Sequence, residues 1–300
     1  MRSEKFRWFR VALQIRGSVI PAIFNRVLYS GLFDVFISLL HYFKFSVSQP
    51  IFESVIPSIV LGLLLVFRTN TAYDRYWEGR KCWESLINNV RNLARQIWIN
   101  IEESVIEDRE KKILNMRFLV AFAVATKLHL RGEAINRELE ELMTISKYFK
   151  LKEMNNPPLE VAFWIGDYLQ QQYKNGLLNV HSLVAMQDLL NKMVNDLGGC
   201  ERILKTPIPL AYAIHLKQLL LIYCLLLPFQ LVSTLGWWTG AIVGLISFTL
   251  LGIEEIGIEI ENSFGYDAND LPLDAICNTM LLNIEDLITL TPIVSNYTQN

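Results

Sequence analysis

The stretch Ser54–Trp83, SVIPSIVLGLLLVFRTNTAYDRYWEGRKCW, decides how the rest of the chain is read. An apolar run from Val55 to Phe67 passes straight into a charged and aromatic segment, with no Pro or Gly at the change. A single helix that starts in lipid and ends in water has this pattern, because hydrocarbon accepts apolar side chains and the helix needs no break to leave it. Ile59, Leu63 and Phe67 recur every four residues and share one face of such a helix. That face either packs against neighbouring helices or lines a pore. Taken alone, the stripe favours packing, its commoner meaning.

Composition supports a membrane protein that is not embedded along its whole length. Hydrophobic residues make up 52%, charged residues only 19%, and the mean hydropathy is +0.27. A net charge of −2 leaves no overall basic excess to neutralise phosphates, which argues against nucleic acid as a partner. Cys82, Cys200, Cys224 and Cys277 are scattered in sequence and contain no C-x-x-C pair, which favours reduced thiols over a disulfide framework or a zinc site. Met1–Arg16 is basic and amphipathic and lacks the apolar core and small-residue cleavage site of a signal peptide.

Working outward, Met1–Arg26 carries Arg2, Lys5, Arg7, Arg10, Arg16 and Arg26 against the single acid Glu4, with Trp8, Phe9, Val11 and Leu13 interleaved. It reads either as an interfacial segment on an anionic leaflet or as a cytosolic helix packed on the protein. Val27–Phe43 is the first spanning candidate. Its one acid, Asp34, is expected to face other helices or water, capping or bonding to a neighbour, because a carboxylate in lipid costs on the order of 2.5–3.5 kcal/mol. A polar loop, Lys44–Gln49, leads to Pro50 and a second span over Ile51–Phe67, in which Pro57 is expected to introduce a kink.

From Arg68 to Thr206 the chain is soluble in character. Glu84–Glu103 is an amphipathic helix (Leu86, Val90, Leu93, Ile97, Ile101). Phe118–Ala125 is a core helix bounded by Arg117 and Lys127, Ser146–Pro158 a loop, and Leu159–Tyr173 and Ser182–Leu197 two further helices. Gln218–Ile253 then contains no charged residue and suits a hairpin of two spans, with its turn at Ser233–Gly240 and a kink at Pro228. Lys and Arg cluster in the N-terminal segment and in 68–206, which orients both termini and that region to the cytoplasm. The expected organisation is a single subunit: interfacial residues 1–26, spans 1 and 2 over 27–67, a cytosolic helical region 68–206, spans 3 and 4 over 207–254, and a cytosolic segment 255–300.

Three motifs in this order resemble bacterial bestrophin homologues: Phe67–Arg80 after the second span, Gly199-Cys200-Glu201-Arg202-Ile203 with Thr206-Pro207-Ile208-Pro209 before the third, and Phe264-Gly265 with Asn269-Asp270-Leu271-Pro272-Leu273-Asp274 after the fourth. Together with the span layout, the resemblance covers nearly the whole chain. It implies an all-α homopentamer with one axial pore, whose second helix lines a narrow apolar neck at Ile59, Leu63 and Phe67. Such a neck carries no fixed charge and gates by dewetting. Selectivity then falls to the charges beside it: Arg68 and Arg75 favour anions if they face the axis, Asp74 and Glu78 favour cations. The resemblance also implies a second, cytosolic narrowing near Val180, His181 and Ser182, where His181 either senses pH or is simply exposed. The acidic segment that binds calcium in animal relatives is diluted here to Glu261, Asp267 and Asp270, which are weak metal candidates, so calcium-independent behaviour and no cofactor are expected.

An enzyme is disfavoured. Glu254-Glu255 is followed by no histidine, and neither H-E-x-x-H nor G-x-S-x-G occurs. A secondary transporter would show repeated halves, and a scaffold would leave the apolar stripe without a purpose. The expectation is a channel for monovalent ions, anions such as chloride first and Na⁺ or K⁺ as the alternative. Its partners are further copies of itself, permeant ions and membrane lipid, in a bacterial inner membrane.

Overall fold

In the computed structural model, which describes residues 8–49 and 55–291, the decisive stretch belongs to one helix that runs without a break from Ile56 to Asn100. In chain order the helices are α1 (Ile20–Tyr42), α2 (Ile56–Asn100), α3 (Ile106–Arg131), α4 (Arg137–Glu140), α5 (Ile145–Lys152), α6 (Pro157–Lys174), α7 (Val180–Lys205), α8 (Leu210–Leu235), α9 (Thr239–Glu261) and α10 (Leu273–Thr289). A 3₁₀ turn, Gly236–Trp238, joins α8 to α9, and residues 8–12 form a further helical turn. Among the described residues there is no strand. Arg2, Lys5, Arg7, Pro50 and the start of the expected second span lie outside the described residues.

Four stretches are long and apolar enough to cross a membrane: α1, α2, α3 and the α8–α9 pair. The α3 window is 78% buried in protein, whereas the others are 22–28% buried. A helix enclosed by protein on all sides has no face left for lipid, so α3 is a core helix. The helices left long, apolar and open enough to span are α1, the first part of α2, α8 and α9. Pro57 stands in the first turn of α2, where its missing N–H costs nothing, so the expected kink inside the span is not there. Pro228 does lie within α8.

The chain divides into two compact units, residues 1–76 with 207–270 and residues 77–206 with 271–300. In the first unit α1 lies along α9, where the hydroxyls of Ser30 and Ser247 meet at 3.0 Å. The first part of α2 packs on α8 through Leu61, Leu65, Leu216 and Leu220, and the Tyr212 hydroxyl donates to the Leu64 carbonyl at 2.6 Å. The outward faces stay apolar and open, with Phe24, Leu32, Leu221 and Leu245 all exposed. Water would penalise such a surface, and lipid accepts it.

In the second unit α3 runs through the centre, with Phe118, Leu119, Phe122 and Ala125 fully enclosed. The later part of α2 contributes Leu86, Val90, Leu93 and Ile97 to the same kind of core, and Arg91 and Arg95 point to solvent as their spacing requires. The expected loop over Ser146–Pro158 is shorter than it reads. Residues 145–152 form α5 with Tyr148 and Leu151 buried, and the Asn156 side chain accepts from the Leu159 N–H to open α6 at Pro157.

Two lysines of α3 are buried and survive there because each is paired. Lys112 Nζ donates to the Ile101 carbonyl at 2.7 Å and to Glu103 at 2.9 Å. Lys127 Nζ donates to Glu138 at 2.6 Å and to Asp274 at 2.8 Å, and Arg131 reaches Asp274 at 3.0 Å. Burial alone would raise the Asp274 carboxyl, but hydrogen bonds from Lys127 and Arg131 outweigh it and hold its pKa below the ordinary value. A carboxylate depressed in the folded state contributes stability above its unfolded pKa, about 3.9, and loses it as pH falls towards the folded value. Asp274→Asn is expected to lower stability at neutral pH by about 1 kcal/mol at most, since solvent screens this exposed group, and to flatten the acid limb below about pH 4. Denaturation of the purified protein across pH checks this. An unchanged acid limb would remove Asp274 from that role.

Candidate ion pathway

The face of α2 that carries Ile59, Leu63 and Phe67 is uncovered: these side chains are 56%, 52% and 61% exposed. The opposite stripe, Leu61, Leu65, Arg68 and Ala72, is buried. The first unit thus packs α2 by one side and leaves the other apolar side to something outside the chain.

Past Phe67, helical spacing decides which charges continue the open face. Each residue turns the helix by about 100°. Asp74, seven residues after Phe67, therefore returns to within about 20° of it, and it is exposed. Glu78 falls on the same side, half-exposed, and takes the Arg202 guanidinium of α7. Arg75 lies about 80° off this line and is half-buried. Arg68 turns inward, only 4% exposed, and donates from Nη2 to Glu261 at 3.1 Å. The other Glu261 oxygen accepts the Ile208 N–H at 2.9 Å. Of the four charges expected near the neck, Arg68 is thus engaged inside the protein, and Asp74 is the one that stands free of the packed side.

The weak metal candidates are largely committed elsewhere. Both Glu261 oxygens are used as described, and Asp270 Oδ2 accepts the Asp267 N–H at 2.7 Å. Among the described residues no group of three or more His, Cys, Asp or Glu could hold a metal ion. Val180, His181 and Ser182 form the first turn of α7, which Asn179 caps by accepting from the Ser182 N–H at 2.9 Å. Val180 and His181 are exposed.

The other sequence motifs turn out to be joints between helices. A Cβ on Gly199 would sit 2.8 Å from Cys82 Sγ, so α2 and α7 approach where only glycine fits. There the thiols of Cys82 and Cys200 share a hydrogen bond that lowers the Cys82 pKa and raises that of Cys200, bringing together two cysteines that the sequence leaves far apart. Glu201 holds His129 at 2.8 Å, Asn156 at 3.2 Å and Lys205 at 3.2 Å. A Cβ on Gly265 would collide with Asp270 Oδ2 at 2.7 Å.

Two charges near the spans are held inside the protein, and for the second the expected bond to a neighbour is corrected. Arg26, read as the end of a segment lying either on the leaflet or on the protein, lies inside α1 and donates to Glu255 at 2.8 Å, with Glu254 at 3.7 Å. Asp34 is fully buried among helices, as its cost in lipid demands, but neither carboxylate oxygen accepts a hydrogen bond from a neighbouring helix. Sequence reasoning met Glu254 and Glu255 only as a failed protease motif. Their partner Arg26 stands 229 residues from Glu255, and no local pattern links them.

These features define a helical integral membrane protein with an unpartnered apolar helix face. Comparison with known proteins then gives the family. The chain matches the Bacterial/Fungal Bestrophin protein family over residues 1–286, and it belongs to that family. It is 68% identical over 297 residues, 99% of this chain and 97% of the relative, to a protein of Nostoc sp. named voltage-dependent anion channel-forming protein. YneE of Escherichia coli (strain K12), which carries the same descriptive name, is 32% identical over 279 residues, 92% of this chain and 90% of the relative. The crystal structure of a bacterial bestrophin homolog from Klebsiella pneumoniae is similar at a TM-score of 0.81 with 29% identity, covering 90% of this chain and all of that one.

Removing one partner of a buried ion pair strands the other charge, at a cost of roughly 3 kcal/mol or more. Glu261→Gln is therefore expected to lower the stability of the first unit by about that amount, measured as a drop in thermal unfolding temperature in detergent. A variant as stable as the parent but with altered conductance would instead place Arg68 in the ion path.

Proposed function

We propose that the chain is one subunit of a homopentameric ion channel of the bacterial inner membrane that conducts small monovalent anions such as chloride. The observation that carries this reading is the uncovered stripe Ile59, Leu63 and Phe67 on α2, in a family whose similar members are named anion channel-forming proteins. Five copies of that stripe around an axis form an apolar neck, which passes ions only when wide enough to stay wet. Both termini and residues 68–206 are cytoplasmic on this reading, in keeping with the Lys and Arg of the N-terminal segment and of 68–206 and with an even number of spans. Val180, His181 and Ser182, at the start of α7, form the second, cytosolic narrowing.

A cation channel of the same fold is the second reading, and Asp74 favours it. This residue continues the line of the neck stripe and is exposed, whereas Arg68 is neutralised by Glu261. Five carboxylates at the mouth of an uncharged neck would raise the local concentration of cations. The anion reading requires that this ring be outweighed or screened; the names of the relatives support that, and the geometry of Asp74 alone does not.

Current through purified protein in planar bilayers under asymmetric KCl separates the two readings. A reversal potential near that of chloride is expected, and one near that of potassium would replace the proposal by the cation reading. Asp74→Asn is expected to move the reversal potential further towards chloride, most clearly at low salt, where screening is weakest. Replacing Ile59, Leu63 and Phe67 together by Ala should widen and wet the neck and raise single-channel conductance several-fold. Unchanged conductance would remove those residues from the constriction.

A further inference from the structure

In the first unit, α1, α8 and α9 enclose an open cavity of about 540 Å³. Its polar end is formed by Arg26, Lys217 and Glu254, and its body by side chains that include Phe33, Leu225 and Leu251. The polar end coincides with the limit of the apolar part of each span. From Arg26 to the end of α1, and from Lys217 to the end of α8, the helices run roughly 24–27 Å at 1.5 Å per residue, close to a hydrocarbon thickness of about 30 Å. The cavity therefore starts at a membrane boundary and leads into the hydrocarbon. This is the shape of an amphiphile, with a head at the charged end and a tail inside.

The charges at that end state what the head must offer. Glu254 is only 2% exposed, and its Oε1 accepts no hydrogen bond. Lys217 Nζ stands 3.8 Å from that oxygen, near enough for attraction but too far to donate. Arg26 Nη1 is 2.8 Å from Glu255, with Glu254 Oε2 at 3.7 Å. The side chains of Arg26 and Lys217 are half-exposed at the rim, and Glu254 is deep. A buried carboxylate oxygen without a donor is costly, and a charged N–H donor is its best complement. The two rim cations suit a phosphate. An anionic head without an amine would neutralise the rim but place its charge against Glu254. A trimethylammonium head would bring positive charge but no N–H.

We propose that this cavity binds a phospholipid with a primary-ammonium headgroup, of the phosphatidylethanolamine type. The ammonium donates to Glu254 Oε1, the phosphate accepts from Arg26 and Lys217, and one acyl chain lies in the channel past Phe33 and Leu225. The assignment is independent of which ion the protein conducts.

Native mass spectrometry of the full-length protein, delipidated and then offered phosphatidylethanolamine, phosphatidylcholine or phosphatidylglycerol with identical chains, tests the assignment. The wild type is expected to retain phosphatidylethanolamine at least tenfold over phosphatidylcholine, and above phosphatidylglycerol. Glu254→Gln is expected to shrink the first preference to about twofold or less. Leu221→Trp, at an exposed position on the cavity rim where the fold tolerates bulk, is expected to lower retention of the ethanolamine lipid by tenfold or more. Equal retention of the three lipids, or retention unchanged in Leu221→Trp, would mean annular lipid only and overturns the site. So would a delipidated wild type that binds none of them. Preference for phosphatidylglycerol would overturn the headgroup assignment.

Discussion

The ion pair between Arg68 and Glu261 fixes how α2 is rotated, and much else follows from that angle. A guanidinium in an apolar bundle must be paired, and Glu261, at the last residue of α9, supplies the pair while its second oxygen holds the start of the segment leading into α8. With Arg68 turned inward, Leu65 and Ala72, one turn away on either side, and Leu61, two turns before it, go inward with it. Ile59, Leu63 and Phe67 are then left on the outside whatever else packs nearby. The apolar contacts of Leu61 and Leu65 with Leu216 and Leu220 supply area. They could be satisfied at slightly different rotations, whereas the charge pair could not.

Most of the fold was legible from apolar periodicity. The spans, the buried stripe of α2 past Trp83 and the core character of Phe118–Ala125 all follow from where polar side chains can be tolerated. The errors have local causes. Pro57 reads as a kink when the helix is taken to begin at Ile51, and as an ordinary first-turn proline when it begins at Ile56. The polar segment Ser146–Pro158 hides α5 because three of the helix's eight residues are lysine and only Tyr148 and Leu151 are buried. The stripe at Ile59, Leu63 and Phe67 was visible, but its exposure was not, because packing and pore-lining faces have the same spacing. Which charges share its side needed the rotation of α2, and that is set by an acid 193 residues away.

The residues that make the family recognisable are mostly joints. Gly199 lets α2 and α7 approach, Arg202 reaches Glu78, Glu201 gathers His129 and Asn156, and Gly265 leaves room for the turn that Asp270 closes. Motifs of this kind report shape. They identify the fold with confidence-building redundancy while saying little about which ion the protein handles. The residues nearest to that question, Asp74 and the exposed stripe of α2, are a single carboxylate and three ordinary hydrophobes.

Within the first unit the helix that carries the stripe has no joint of its own from Ile56 to Tyr76, which makes that part a rod about 31 Å long. A rod held by a charge cannot turn cheaply: rotating it by one residue would bring Arg68 towards the place of Phe67 and pull the guanidinium from Glu261. Twisting is thus a poor way to change the width of whatever the stripe encloses. Sliding, tilting, or a change in the rotamer of Phe67 alone leaves the ion pair intact. The molecule behaves in this respect like a keyed shaft, free to shift along or lean about its fixing and barred from spinning in it.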